Sequence, residues 1–424
     1  MKAIVKKSVL QGAVRAIASK SHAHRVLIAA ALADVDTMVI CEETSDDILA
    51  TINCLKALGA EITDIENGYN VRPIDMYNLG KHVEIDCNES GSTLRFLLPL
   101  ISSLRGETVV NMKEGLAKRP IEPLRSELMK YGATISEEGQ IPLVVNGMIS
   151  NGEFTLPGNI SSQYISGLLF VLPLLDGDSK IILTDTIESR SYITMTIEVL
   201  QLFKIEVEWE DNVISIRGNQ QYKSPSEIYV EGDWSNISFW LAAGAFNPEE
   251  MSCRNLNFYS CQGDKRMLQI IMDFGVNIIY DSNNSLILEH CPMEGIDIDV
   301  ADTPDLVPVI AVLASVAKGT TVIRNAGRLR LKESDRIESI ATTLNALGAD
   351  VVTTEDGMII NGVESLKGGE VDSFNDHRIV MMASIAAQVS DDVVIINNAD
   401  AVNKSYRTFF EDFKSLGGIV KYSE

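Results

Sequence analysis

Lys20, Ser21 and Arg25 fall within six residues at the head of the apolar run SKSHAHRVLIAAALA. Two cations and a hydroxyl at a helix start suit a phosphate or carboxylate. Exposed backbone N–H groups and the helix dipole favour anions there, and arginine can grip them bidentately. The blander reading is a polar N-cap with a solvated lysine. Gly91 in SGST lets a ligand approach the backbone at a second such start; a helix entry that simply needs a small residue is the alternative. Ser161, Ser162 and Gln163 offer hydroxyl and amide groups at a third, where N-capping alone would account for the serines. Lys332 stands in LKESDRI beside Arg336, and crowding by cations could lower a lysine's pKa towards the range useful for proton transfer. Against this, ESDRIES alternates charge as a solvated helix flank does.

These helix starts belong to a repeat. A helix end, a glycine and a strand recur at Gly59, Gly132, Gly275, Gly348 and Gly417, with Lys204 in the glycine's place in LFKIEV. The intervals are 73, 72, 71, 73 and 69 residues. Glycine is the usual left-handed cap past a helix, so Lys204 is expected to end its helix differently. Alternating strand pairs follow five of the six, around the turns ENG, EEG, EDN, SNN and EDG. The sixth copy stops at IVKYSE, and the N-terminal KAIVKKSV could supply its missing strand. In the same period, polar clusters precede nearly all-apolar helical runs at Ser21, Ser90, Ser161, Ser235, Pro304 and Asp376. Helices apolar all round are buried inside a domain. The fold class is therefore α/β: six βαβαββ-like units of about 70 residues, three to a domain. Residues 19–222 are expected to form one domain, residues 1–18 with 231–424 the other, and residues 223–230 the crossover.

Composition narrows the partners. Across 424 residues, 36 basic and 59 acidic side chains leave a net charge of −23. That field repels nucleic-acid phosphates and anionic membranes, so the few basic residues must be gathered to hold anionic ligands. No apolar run approaches the ~18 residues of a membrane span, and the N-terminus lacks the core of an export signal. The six cysteines contain no C-x-x-C, so reduced thiols of a cytoplasmic protein are expected. No metal ligand set is visible; His22 and His24 point to different helix faces.

The strings SKSHAHR (19–25), SGSTLR (90–95), KRPIEPL (118–124), SSQYISGLL (161–169), SRSYI (189–193), TPDLVP (303–308), LKESDRI (331–337), NDHR (375–378) and NKSYRTFF (403–410) occur in order along the whole chain. In this it resembles the enolpyruvyl transferase family, on the branch that acts on shikimate-3-phosphate. The resemblance implies two inside-out α/β barrels closing over shikimate-3-phosphate and phosphoenolpyruvate. The carboxyvinyl group would pass to the 5-hydroxyl with release of phosphate, without a cofactor or metal, in a monomer. It implies that Lys20, Arg119, Arg336, Arg378 and Lys404 hold phosphoenolpyruvate. Ser21, Arg25, Ser161, Ser162, Gln163, Ser189 and Tyr192 would hold the shikimate ligand, with Gly91 at the substrate. Asp305 is the expected base at the 5-hydroxyl, Lys332 and Glu333 the proton-transfer groups, and His377 a donor to the carboxylate or leaving phosphate. The sequence departs from the family's usual N-[AS]-G-T: Glu89 replaces Asn and Ser92 replaces Thr, so Glu89 is not carried over as a binder. Arg190 and Arg328 are left unassigned.

Two alternatives are weaker. The sister enzyme, UDP-N-acetylglucosamine enolpyruvyl transferase, usually carries K-N near the start and a cysteine five residues before the R-P pair. Here those positions are Lys20-Ser21 and Glu114. A non-catalytic repeat scaffold would be expected to lose some of Lys20, Arg25, Arg119, Lys332, Arg336, Arg378 and Lys404, yet all are present.

Overall fold

Gly59, Gly132, Gly275, Gly348 and Gly417 have φ values of 99°, 116°, 98°, 96° and 91°, so each caps its helix in the left-handed region. Lys204 corrects an expectation. It adopts φ 64° itself, ending the helix Arg190–Leu202 as a glycine would, but with a side chain that this conformation disfavours by ~1–2 kcal/mol.

The computed structural model describes residues 1–75, 80–247, 249–281 and 285–423. Its strands form six four-stranded sheets of one design. In the sheet of residues 153–216, for example, Glu153–Pro157 pairs parallel with Ser179–Thr184. Ser179–Thr184 then pairs antiparallel with Val213–Ile216, the inner arm of a hairpin with Val207–Glu210. Glu210 opposes Val213 across the tight Asp211–Asn212 turn, with Asp211 at φ 51°. The SNN turn, residues 282–284, lies outside the described residues.

Three strands come from distant parts of the chain. Lys2–Lys6 lies antiparallel between Val394–Asn397 and Ile419–Ser423, completing the sixth unit. Gly12–Arg15 pairs parallel with Met251–Arg254 and is the first strand of the fourth unit. Glu227–Tyr229 pairs parallel with Thr37–Ile40 and opens the first unit's sheet. The stretch 223–230, expected as a crossover, therefore carries a strand.

The chain divides into two compact units, Lys20–Val230 and Met1–Ser19 with Glu231–Glu424. The first holds the core helices Lys20–Ala31, Gly91–Ile101 and Ser162–Val171. The second holds Trp234–Phe246, Val307–Val316 and His377–Ala386, which pack on one another. All six are buried along almost their whole length, as their apolar composition requires. Pro99 cannot donate to the carbonyl of Arg95, one turn earlier, and Gly167 of the neighbouring helix approaches that carbonyl. A Cβ on Gly167 would fall 2.4 Å from the Arg95 oxygen. This close packing fixes the helix carrying Gln163 against the one carrying Gly91. Among the described residues no helix is long and apolar enough to cross a membrane.

Candidate active site

In the Lys20–Val230 unit the three core-helix starts form one hydrogen-bonded network. Lys20 Nζ pairs with Asp47 Oδ2 at 2.9 Å. Arg25 is buried, with its guanidinium 4.9 Å from the centre of the Phe96 ring. It donates to Thr196 Oγ1 (2.7 Å), the Ser21 carbonyl (2.7 Å) and the Tyr192 carbonyl (3.0 Å). Tyr192 follows Ser189, which sits at φ 53° before the helix Arg190–Leu202. A non-glycine residue is held in that region only when its surroundings over-determine it. Ser161 caps the third core helix by accepting from the Gln163 N–H at 3.3 Å, and Ser162 is buried beside it. The Gln163 side chain bridges Arg95 (2.8 Å) and Ser92 (2.8 Å). A side chain at Gly91 would displace the Arg119 guanidinium, since an added Cβ would lie 2.7 Å from Arg119 Nη1.

In the second unit three cations surround Asp305. Its Oδ1 lies 2.7 Å from Arg336 Nη1, 3.2 Å from Lys332 Nζ and 3.7 Å from Arg378 Nε. Arg336 is 1% exposed. Besides Asp305 it binds Glu333 Oε2 at 2.5 Å and Asp376 Oδ2 at 2.7 Å. Burying one guanidinium among three carboxylates compensates its desolvation only because each N–H direction finds an oxygen. Asp376 also caps the helix His377–Ala386 through the Arg378 N–H. Arg378 reaches the Asp305 carbonyl (2.9 Å) and Ser235 Oγ (2.7 Å). Lys404 donates to the Asn375 carbonyl at 2.6 Å, next to that cap. His377 is buried, with Nδ1 3.8 Å from Asp376 Oδ1.

The electrostatics separate the titratable groups. Burial pushes the Lys332 ammonium down to about 8; Asp305 opposes this, while Arg336 and Arg328 add to it. Burial pushes Asp305 up, but Lys332, Arg378 and Arg336 outweigh that and hold its carboxyl well below the usual range. Burial, and then the charge of Asp305, raise the neighbouring Asp264 to about 6. A buried acid and base tuned away from their ordinary values beside fixed cations is an arrangement for proton transfer near an anion. Among the described residues no group of His, Cys, Asp and Glu is arranged to hold a metal ion.

The EPSP synthase (3-phosphoshikimate 1-carboxyvinyltransferase) family model matches residues 4–413. The chain belongs to that family. A 3-phosphoshikimate 1-carboxyvinyltransferase of Clostridium perfringens is 43% identical over 432 residues, covering 99% of both chains. The EPSP synthase structure from Acinetobacter baumannii superposes with a TM-score of 0.82 at 25% identity over 100% of both chains. The enolpyruvyl transferase NikO from Streptomyces tendae shares the fold, with a TM-score of 0.80 at 16% identity, covering 100% of this chain and 98% of its own. The activity is 3-phosphoshikimate 1-carboxyvinyl transfer, a step of the shikimate pathway to aromatic amino acids that uses phosphoenolpyruvate.

Four members of the two clusters were not singled out from sequence. Arg95 stands one turn beyond Gly91 in SGSTLR, a spacing that faces the same side of a helix. Asp376 was legible only as a helix cap, not as the anchor of Arg336. Asp47 and Asp264 are single carboxylates among 59 acidic residues, with no local signal. Arg190, left unassigned, stacks 3.9 Å from the centre of the Trp209 ring.

Proposed function

We propose that the reaction is an addition–elimination shared between these residues. The 5-hydroxyl of shikimate-3-phosphate adds to C2 of phosphoenolpyruvate while C3 takes up a proton. Loss of a proton from C3 then breaks the C2–O bond to phosphate and leaves the carboxyvinyl ether. Ser21, Arg25, Ser161, Ser162, Gln163, Ser189 and Tyr192 bind shikimate-3-phosphate, and Gly91 keeps the space that Arg119 needs. Lys20, Arg119, Arg336, Arg378 and Lys404 bind phosphoenolpyruvate, stabilising the charge that passes to the leaving phosphate.

Asp305 accepts the hydroxyl proton, Lys332 and Glu333 move the proton at C3, and His377 donates to the carboxylate or the departing phosphate. The observation that carries this reading is the Lys332–Asp305 pair, 3.2 Å apart, with the lysine pushed down to about 8. Three cations hold Asp305 ionised; an arriving anion competes for them and so makes the carboxylate a stronger base. The enzyme works as a cytoplasmic monomer without a cofactor, its six cysteines remaining as thiols.

Phosphate release tests the assignment. It should require shikimate-3-phosphate and phosphoenolpyruvate together, persist in chelator, and not occur with UDP-N-acetylglucosamine as acceptor. Release with the nucleotide sugar would contradict it, as would elution at twice the chain's mass for the monomer.

A further inference from the structure

In the unit formed by Met1–Ser19 and Glu231–Glu424, a cavity of about 350 Å³ lies away from the residues described above. Lys7–Leu10 forms one wall. The other is made by Ala243, Phe246 and Asn247 at the end of the core helix Trp234–Phe246, and by Gln388 in the turn after His377–Ala386. Ser235 and Arg378 occupy the opposite ends of these two helices. Thirteen residues at ~1.5 Å each set the cavity roughly 20 Å from them.

Three features make this more than a packing gap. Its size falls within the ~300–1,000 Å³ of small-molecule sites. Its wall is fixed by hydrogen bonds, the Ser8 N–H donating to Gln388 Oε1 at 3.2 Å and Asn247 Nδ2 donating to the Leu10 carbonyl. Third, Gln388 is 7% exposed and, among the described residues, its Nε2 has no acceptor. Because Oε1 is committed to the Ser8 N–H, turning the amide over would set donor against donor. A buried N–H without a partner is costly, so a ligand oxygen that parts the wall enough to reach Nε2 gains a hydrogen bond that the protein alone leaves unmade. Lys7, exposed at the rim, brings a positive charge. Val9, Leu10, Ala243 and Phe246 supply an apolar surface, and Val9 is 54% exposed.

We propose that this cavity is a second binding site, for a small amphipathic carboxylate. An aromatic or branched carbon body rests on Val9, Leu10, Ala243 and Phe246. A carboxylate oxygen accepts from Gln388 Nε2, and the Lys7 ammonium balances the charge.

Calorimetric titration of the full chain with 3-phenylpropionate, in saturating shikimate-3-phosphate, tests the site. Saturable one-to-one binding is expected, with Kd about 1 mM or tighter. Gln388→Leu and Lys7→Gln should each weaken it about tenfold, the loss of one charge-assisted contact. Val9→Trp, which fills the mouth from an exposed position, should abolish it. The uncharged 3-phenylpropanamide should bind more weakly and be indifferent to Lys7→Gln. Turnover should be unchanged in all three variants. No saturation by about 10 mM, equal affinity across the variants, or displacement by shikimate-3-phosphate would overturn the proposal. Lys7→Gln and Val9→Trp are surface changes, so they decide the matter even if Gln388→Leu fails to fold.

Discussion

Lys332 Nζ lies 3.2 Å from Asp305 Oδ1, and that carboxylate is shared with Arg336 at 2.7 Å. The lysine is thus paired with an acid and crowded by a cation at once. Burial outweighs the acid and brings its pKa down to about 8. If the ammonium delivers the proton to C3, kcat/KM should fall as pH rises through about 8, because the acid form is lost there. The pH profile of kcat/KM reports the free enzyme. A limb near 10.5, the lysine's ordinary value, would show that burial does not tune this group.

Arg119 and Gly91 are coupled by space. The obstruction met by a Cβ at Gly91 is the far end of a flexible side chain, 2.7 Å away, so Gly91→Ala should fold and push the guanidinium aside. Gly91→Ala and Arg119→Ala should each raise the KM for phosphoenolpyruvate about tenfold or more, the scale of one charged hydrogen bond, with a smaller change for shikimate-3-phosphate. The double variant should be little worse than Arg119→Ala. Steady-state kinetics with each substrate varied checks this, and equal effects on both substrates would count against it.

Asp264 titrates at about 6 in the fold, against an ordinary value of 3.8. The folded state therefore binds its proton more tightly than the unfolded chain does. Its stabilising contribution is complete below about 3.8 and is lost as pH rises to about 6. Asp264→Asn, neutral at every pH, should gain on the wild type in urea-unfolding midpoint from pH 4 to pH 6 and hold a constant lead above that. A difference that does not vary with pH would contradict the assignment.

Lys204 sits at φ 64° where its five counterparts are glycine. Lys204→Gly relieves a strain of ~1–2 kcal/mol, partly offset by glycine's greater freedom in the unfolded chain. A rise of a few degrees in melting temperature is expected with turnover unchanged. An unchanged or lower melting temperature would mean that the strain is compensated locally.

The periodic features were legible because local chemistry sets them. The glycine caps lie at the expected positions, and the helices begin within three residues of Ser21, Ser90, Ser161, Ser235, Pro304 and Asp376. Strands Gly12–Arg15 and Glu227–Tyr229 were not legible. They are four and three residues long, largely exposed, and pair with partners far away in sequence. No local pattern marks such a strand. Lys204 escaped for a different reason: the fold imposes the left-handed turn through its neighbours, whatever residue stands there. Within the clusters, Arg119, Arg378 and Lys404 were legible only through the family resemblance, Arg95 was passed over, and Asp47 and Asp264 were hidden in an acidic background.

The most direct test is a single-turnover measurement of phosphate release by Lys332→Met with both substrates saturating. Removing the ammonium while keeping the chain's length should cut the rate of the chemical step about 10²-fold or more, the usual worth of a positioned acid or base. Shikimate-3-phosphate should still bind with the wild-type affinity. A rate within tenfold of the wild type would contradict the proposed role of Lys332 in moving the C3 proton.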